Sequence, residues 1–206
     1  MPLRLLPAAL VVALLSTAAS ADEGMWQPKQ MPELAAQLKA RGLEMAPEDL
    51  SNLAAKPLNA VISLGGCTAS FVSPQGLVIT NHHCVYGAVA YNSTPENDLL
   101  ANGFVADTFA AELPAQPTSR VYVTEAITDV TDRIVDGLDG MDGKERHDAI
   151  EVRSKALVAE CEAPGGLRCN VYNFNGGLEF SLIRQLEIED VRLVYAPPAS
   201  IGKYGG

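Results

Sequence analysis

Positive charge is the scarcest commodity in this chain: 15 Lys and Arg stand against 25 Asp and Glu among 206 residues, a formal net charge of −10. A chain so acidic argues against nucleic acid and anionic lipid as partners, because both recruit basic residues through their phosphates. Long apolar runs are confined to the first residues, so no later segment is fit to span a membrane. Fixed-period repeats and low-complexity tracts are also missing, which excludes solenoids and arrays. A Gly-x-Ser-Gly segment is absent too; the serines from Ser63 to Ser200 all sit in other contexts.

What stands at the beginning is a secretory signal. Arg4 supplies a positive start, Leu5 to Leu15 an apolar stretch, and Ala19-Ser20-Ala21 a small-residue cleavage site ahead of Asp22-Glu23. The expected signal peptide is therefore 1–21. Its removal takes away Arg4 alone, leaving 14 basic residues against 25 acidic. The remaining 22–206 could build one domain with a proper core, or part of a larger one. Export fits an even number of cysteines, Cys67, Cys84, Cys161 and Cys169, all outside the signal. Four cysteines allow three disulfide connectivities.

Residues 31–56 read as helical: Pro32 and Glu33 suit a first turn, Leu34 and Leu38 share a face, and Gly42 can end a helix before Pro47-Glu48-Asp49 starts another. From Asn59 onward, short runs of Val, Ile, Leu and Phe appear between turn residues. Ala69 to Ser73 and Leu77 to Thr80 predict a hairpin around Ser73-Pro74-Gln75-Gly76, where Pro presets φ for a type I turn. Arg120 to Ile127 predicts another strand. Asn170 to Phe174 and Leu178 to Ile188 predict a second hairpin around Asn175-Gly176-Gly177. Asp190 to Tyr195 would be a last strand, stopped by Pro197-Pro198. Asp129 to Glu160 is polar and helix-favouring with a break at Gly137 to Gly143, and reads as a helical insertion or cover on a β domain.

The chemistry concentrates in Thr80-Asn81-His82-His83-Cys84, directly after the first hairpin. A strand running into paired histidines would hold an imidazole still at a strand end, and a fixed neutral imidazole is what makes a serine hydroxyl a nucleophile. Zinc is the rival reading, since Cys67, His82, His83 and Cys84 offer four ligands. Three of them are consecutive, however, and consecutive residues rarely converge on one tetrahedral centre, so no metal and no cofactor are expected. His147, in a charged helical stretch, reads as solvated. Asn92-Ser93-Thr94 fits the glycosylation sequon, a pattern that arises easily by chance.

Gly66-Cys67-Thr68 with His83-Cys84 resembles the first barrel of chymotrypsin-like peptidases, where a Cys before the hairpin pairs with the Cys just after the catalytic His. Within that clan, Asp22-Glu23-Gly24-Met25-Trp26, Gly66-Cys67-Thr68, Thr80-Asn81-His82-His83-Cys84 and Asp190 to Pro198 resemble, in order, the S46 peptidases, the bacterial dipeptidyl-peptidases of types 7 and 11. The resemblance implies a mainly β fold with helical additions, a chymotrypsin-like double β-barrel of which the N-terminal barrel region is present here. It further implies a Ser-His-Asp triad that releases dipeptides from the free N-terminus of peptides. His83 maps onto the catalytic histidine and His82 onto a structural position. The Cys67–Cys84 pairing is implied with it; Cys161 and Cys169 would close a short loop across Pro164-Gly165-Gly166. Family members are exported by Gram-negative bacteria to the periplasm or cell surface and tend to be homodimers. Their preference before the cleaved bond, apolar for type 7 and acidic for type 11, is set by residues outside the part that matches.

Triad aspartate and serine are expected beyond Gly206. The chain is accordingly expected to be an incomplete record, lacking the helical cap domain and the second barrel. The alternative is a catalytically inert, peptidase-derived binding or scaffold module.

Overall fold

The computed structural model describes residues 25–204, so the signal segment 1–21 and residues 22–24 of the first S46-like motif lie outside the described residues. The chain enters through short helical turns rather than one long helix. Helix α1 (Ala35–Ala40) ends at Gly42, whose φ of 94° suits glycine, and Pro47 opens the separate turn Pro47–Leu50. The expectation of helix across 31–56 thus holds in pieces, because Gly42 and the prolines interrupt it.

Six strands form one antiparallel sheet: β1 (Val61–Ser63), β2 (Thr68–Phe71), β3 (Val78–Ile79), β6 (Val121–Asp129), β7 (Leu167–Phe174) and β8 (Glu179–Ile188), in the order β3-β2-β1-β6-β8-β7. The first hairpin pairs Phe71 with Val78 and turns where Pro74 and Gly76 punctuate it, Val72 N–H donating to Leu77 O at 2.9 Å. The second, β7 to β8, turns at Asn175 (φ 52°) and Gly176 (φ 70°), both left-handed as such a turn demands. The fold is mainly β with helices, but the sheet does not close on itself: β3 and β7 remain its edges, so a barrel is not formed by these strands.

Two small ribbons lie apart from the sheet. Strand β4 (Phe104–Val105) pairs with β10 (Tyr195–Ala196), and β5 (Leu113–Pro114) pairs with β9 (Arg192–Leu193). The single strand expected over Asp190 to Tyr195 is therefore split between two partners. Asp190, with φ 52°, breaks the run before it starts, and Arg192 N ε donates to the Asp190 carboxylate at 3.2 Å.

The polar stretch after β6 is a cover, as its pattern suggested. Helix α4 (Thr131–Val135) and α5 (Gly143–Glu162) flank a break, and Ile134 and Leu157 pack on Phe180 and Val130 in one buried cluster. The Asp142 carboxylate accepts from Glu145 N–H at 2.8 Å, an N-cap for α5. Arg153 donates to the carbonyls of Ile134 and Asp136 at 2.7 Å, placing a cation at the C-terminal end of α4. A second cluster, Ile62, Ala69 and Val121, lies under the first hairpin.

The third cluster positions the site. Val89 from α2 (His82–Asn92), Leu99 from α3 (Leu99–Asn102), Leu193 and Ala196 are buried together, fixing α2 against both ribbons. At the far end of α2, Asn92 donates from its amide to Ala88 O and Pro114 O, at 2.8 and 2.9 Å. The Asn92-Ser93-Thr94 sequon is thus part of the packing between α2 and β5.

Candidate active site

Strand β3 ends at Ile79, and the connector is tied down at once: the Thr80 hydroxyl donates to Thr68 O at 2.9 Å, at the start of β2. Asn81 is extended (φ −74°, ψ 150°), and Cys84 N–H donates to its carbonyl at 3.0 Å, opening α2. The histidines therefore lie in the first turn of a helix, not at a strand end. Tertiary packing imposes that helix: Val85 and Val89, four apart, both face the apolar cluster, and Cys84 is bonded to Cys67.

On a helix, consecutive side chains diverge by about 100°, and His82 and His83 diverge accordingly. His82 turns inward and is half-buried; its Nε2 is buried with no partner, and its ring meets Tyr86 edge-on, centroids 6.2 Å apart. His83 is exposed, and among the described residues its ring makes no hydrogen bond or ion pair. Its ring nitrogen and the Cys67 and Cys84 sulfurs lie within 4.8 Å of one another. Because those two sulfurs are joined in a disulfide, neither is a thiolate ligand, and this trio is an imidazole beside a bridge rather than a metal centre. The bridge spans Cα atoms 6.0 Å apart and anchors the residue after His83 to the start of β2.

His82, His83, Tyr86, Gly202 and Lys203 line an open cleft of about 460 Å³. Its far wall is α6 (Ala199–Gly202) and the turn after it, with Lys203 Nζ 5.0 Å above the Tyr86 ring. Tyr86, Gly202 and Lys203 carried no signal in the sequence, since their meeting depends on a fold that returns residue 202 to residue 82. A second depression, of about 280 Å³ beneath α5, is lined by Arg133 and Arg184. Both arginines are paired, with Glu160 at 2.7 Å and Glu125 at 3.4 Å. Cys161 and Cys169 form the second disulfide, joining the end of α5 to β7. His147 lies exposed on α5, away from the cleft residues.

A profile of the Peptidase S46 family matches residues 21–206. The chain belongs to this family. An Asp/Glu-specific dipeptidyl-peptidase of Shewanella putrefaciens is 52% identical over 200 residues, covering 96% of this chain and 27% of the relative. Dipeptidyl-peptidase 7 of Phocaeicola vulgatus is 37% identical over 212 residues, 98% of this chain and 29% of the relative. The crystal structure of Porphyromonas endodontalis DPP11 in complex with substrate superimposes with a TM-score of 0.77 at 32% identity, covering 88% of this chain and 28% of that one. The chain thus spans less than a third of the length of these S46 relatives, which are themselves peptidases.

Proposed function

We propose that this chain is the N-terminal portion of a serine-type dipeptidyl-peptidase, releasing dipeptides from the free N-terminus of peptides, with His83 as its general base. The observation that carries the reading is the placement of His83: exposed at an open cleft, on a helix turn pinned by the Cys67–Cys84 bridge, in a chain of the S46 family. An imidazole so held takes the proton of a nucleophile presented to it and returns that proton to the leaving amine, while an orienting carboxylate fixes its tautomer. Serine and aspartate come from the rest of the protein. In the full-length enzyme the open sheet is completed into the first of two barrels. Two disulfides support export, with action in the periplasm or at the cell surface, and a homodimer is the proposed assembly.

The test is kcat on a peptidyl reporter for His82→Ala and His83→Ala in the full-length enzyme, with thermal unfolding of each. Triad members act as a unit, so His83→Ala is expected to lower kcat by several orders of magnitude and leave the fold intact. His82→Ala is expected to cost less. Near-normal kcat for His83→Ala with loss in His82→Ala reverses the assignment, and near-normal kcat in both refutes a peptidase centred on this cleft.

A further inference from the structure

The contact between His82 and Gly202 is one that local propensity alone would not select. Gly202 ends α6 and has no left-handed φ, so an alanine there would suit the helix better. The His82 ring is what excludes a side chain. A Cβ on Gly202 would lie 2.5 Å from His82 Cγ and 2.6 Å from its Nε2, closer than any ordinary contact. Tyr86 meets the ring edge-on, and Lys203 returns from the α6 side to cover the Tyr86 ring at 5.0 Å. The contacts close a circuit: Gly202 on His82, His82 on Tyr86, Tyr86 under Lys203, and Lys203 next to Gly202. The His82 Nε2 finds no hydrogen-bond partner among the described residues, so shape holds the ring.

We infer that Gly202 and His82 are positioning residues for His83: the bare backbone at Gly202 seats the His82 ring, and that seat fixes the first turn of α2 and so the direction in which His83 faces the cleft. The inference rests on the proposed role of His83 as base. His83 follows His82 directly in the turn, so a displaced His82 carries it along. A misplacement of about 1 Å at a reacting group costs on the order of 100-fold in rate. The Cys84 bridge holds the turn from one side, and the Gly202 seat holds it from the other.

Non-additivity tests this in the full-length enzyme. Gly202→Ala is expected to lower kcat about 10- to 100-fold while KM changes less than about threefold, since the binding of substrate is left in place and the base is moved. His82→Ala empties the same seat from the other side and is expected to lower kcat by a similar factor, so that the double variant His82→Ala/Gly202→Ala loses little more than either single variant. All rates are taken per folded molecule, from circular dichroism and thermal unfolding of the same samples. Gly202→Ala with kcat within about twofold of the parent overturns the inference. So does a double variant whose loss is the product of the two single losses, or a loss of activity that merely tracks loss of folded protein. His83→Ala, measured in parallel, tests the base itself: normal kcat there refutes the proposed function rather than the packing.

Discussion

Removing the Cys67–Cys84 bridge separates what it does for stability from what it does for His83. The Cys67→Ala/Cys84→Ala double variant deletes the cross-link and leaves no stray thiol. With a sequence separation of 17, the chain-entropy relation gives about 3 kcal/mol for this closure. Cys161→Ala/Cys169→Ala is the comparison, and its separation of 8 gives about 2.5 kcal/mol by the same relation. Loop length alone therefore makes the two bridges nearly equal in stability. On the proposed role of His83, geometry makes them unequal in function, because Cys84 directly follows His83 whereas Cys161 and Cys169 join α5 to β7. Equilibrium denaturant unfolding and kcat per folded molecule of the full-length enzyme should dissociate accordingly. Each double variant is expected to lose about 2–3 kcal/mol. The first is expected to lose about tenfold or more in kcat, as a base freed on one side samples unproductive positions. The second is expected to stay within about threefold. Equal kcat losses in the two variants would refute the claim that the Cys84 tether places the base.

Two further outcomes follow from the backbone and from one carboxylate. Gly103 has φ 77° and ψ 179°, a conformation open essentially to glycine, and a Cβ there would meet Pro198 Cδ at 2.8 Å and Ala196 O at 2.9 Å. Gly103→Ala is accordingly expected to cost more than the ~1–3 kcal/mol of backbone strain alone, read as a lowered denaturation midpoint with an unchanged m-value. The Asp129 carboxyl is held below its usual value, first by the Thr131 side chain and then by the Thr131 N–H at 2.9 Å. A depressed carboxyl stabilises the fold above its unfolded pKa and loses that contribution as pH falls through the lowered value. Thr131→Ala is therefore expected to raise the Asp129 titration midpoint by NMR and to shrink the acid-dependent part of stability below about pH 4.

Much of the sheet was legible because its punctuation is local. Pro74 and Gly76, then Asn175 and Gly176, mark turns through their own backbone preferences, and both hairpins form where they stand. The α4–α5 cover was readable from Ile150 and Leu157 at helical spacing after a Gly/Asp break. The first turn of α2 was not, since His82-His83-Cys84 follows a strand pattern and Gly87 dilutes helix propensity; Asn81 at the N-cap and the Val85/Val89 spacing were the available signals. Strands β4, β5, β9 and β10, two residues each, are too short to show a period, and pairings across so much sequence leave no local trace. The cleft inherits that illegibility. Its residues from α2 were marked by their motif, whereas Gly202 and Lys203 reach it only through those distant pairings.

The sheet has a seam. Strands β6 and β8 pair from Val121 opposite Ile188 to Asp129 opposite Ser181, with one register shift between Thr124 and Ala126, whereas β1 and β6 meet at the pair Ser63 and Tyr122. Few backbone bonds thus tie the β1–β3 hairpin unit to the β6–β8 unit, and the apolar cluster of Ile62, Ala69 and Val121 joins the two across that line. Local opening follows such lines, since a region bound by few hydrogen bonds exchanges its amides without unfolding its neighbour. The half that carries His83 is thus held to the long hairpin by Ile62 and Ala69 packing on Val121 more than by a ladder of backbone bonds. Amide exchange in β2 and β3 then reads how firmly that packing holds the side that carries His83.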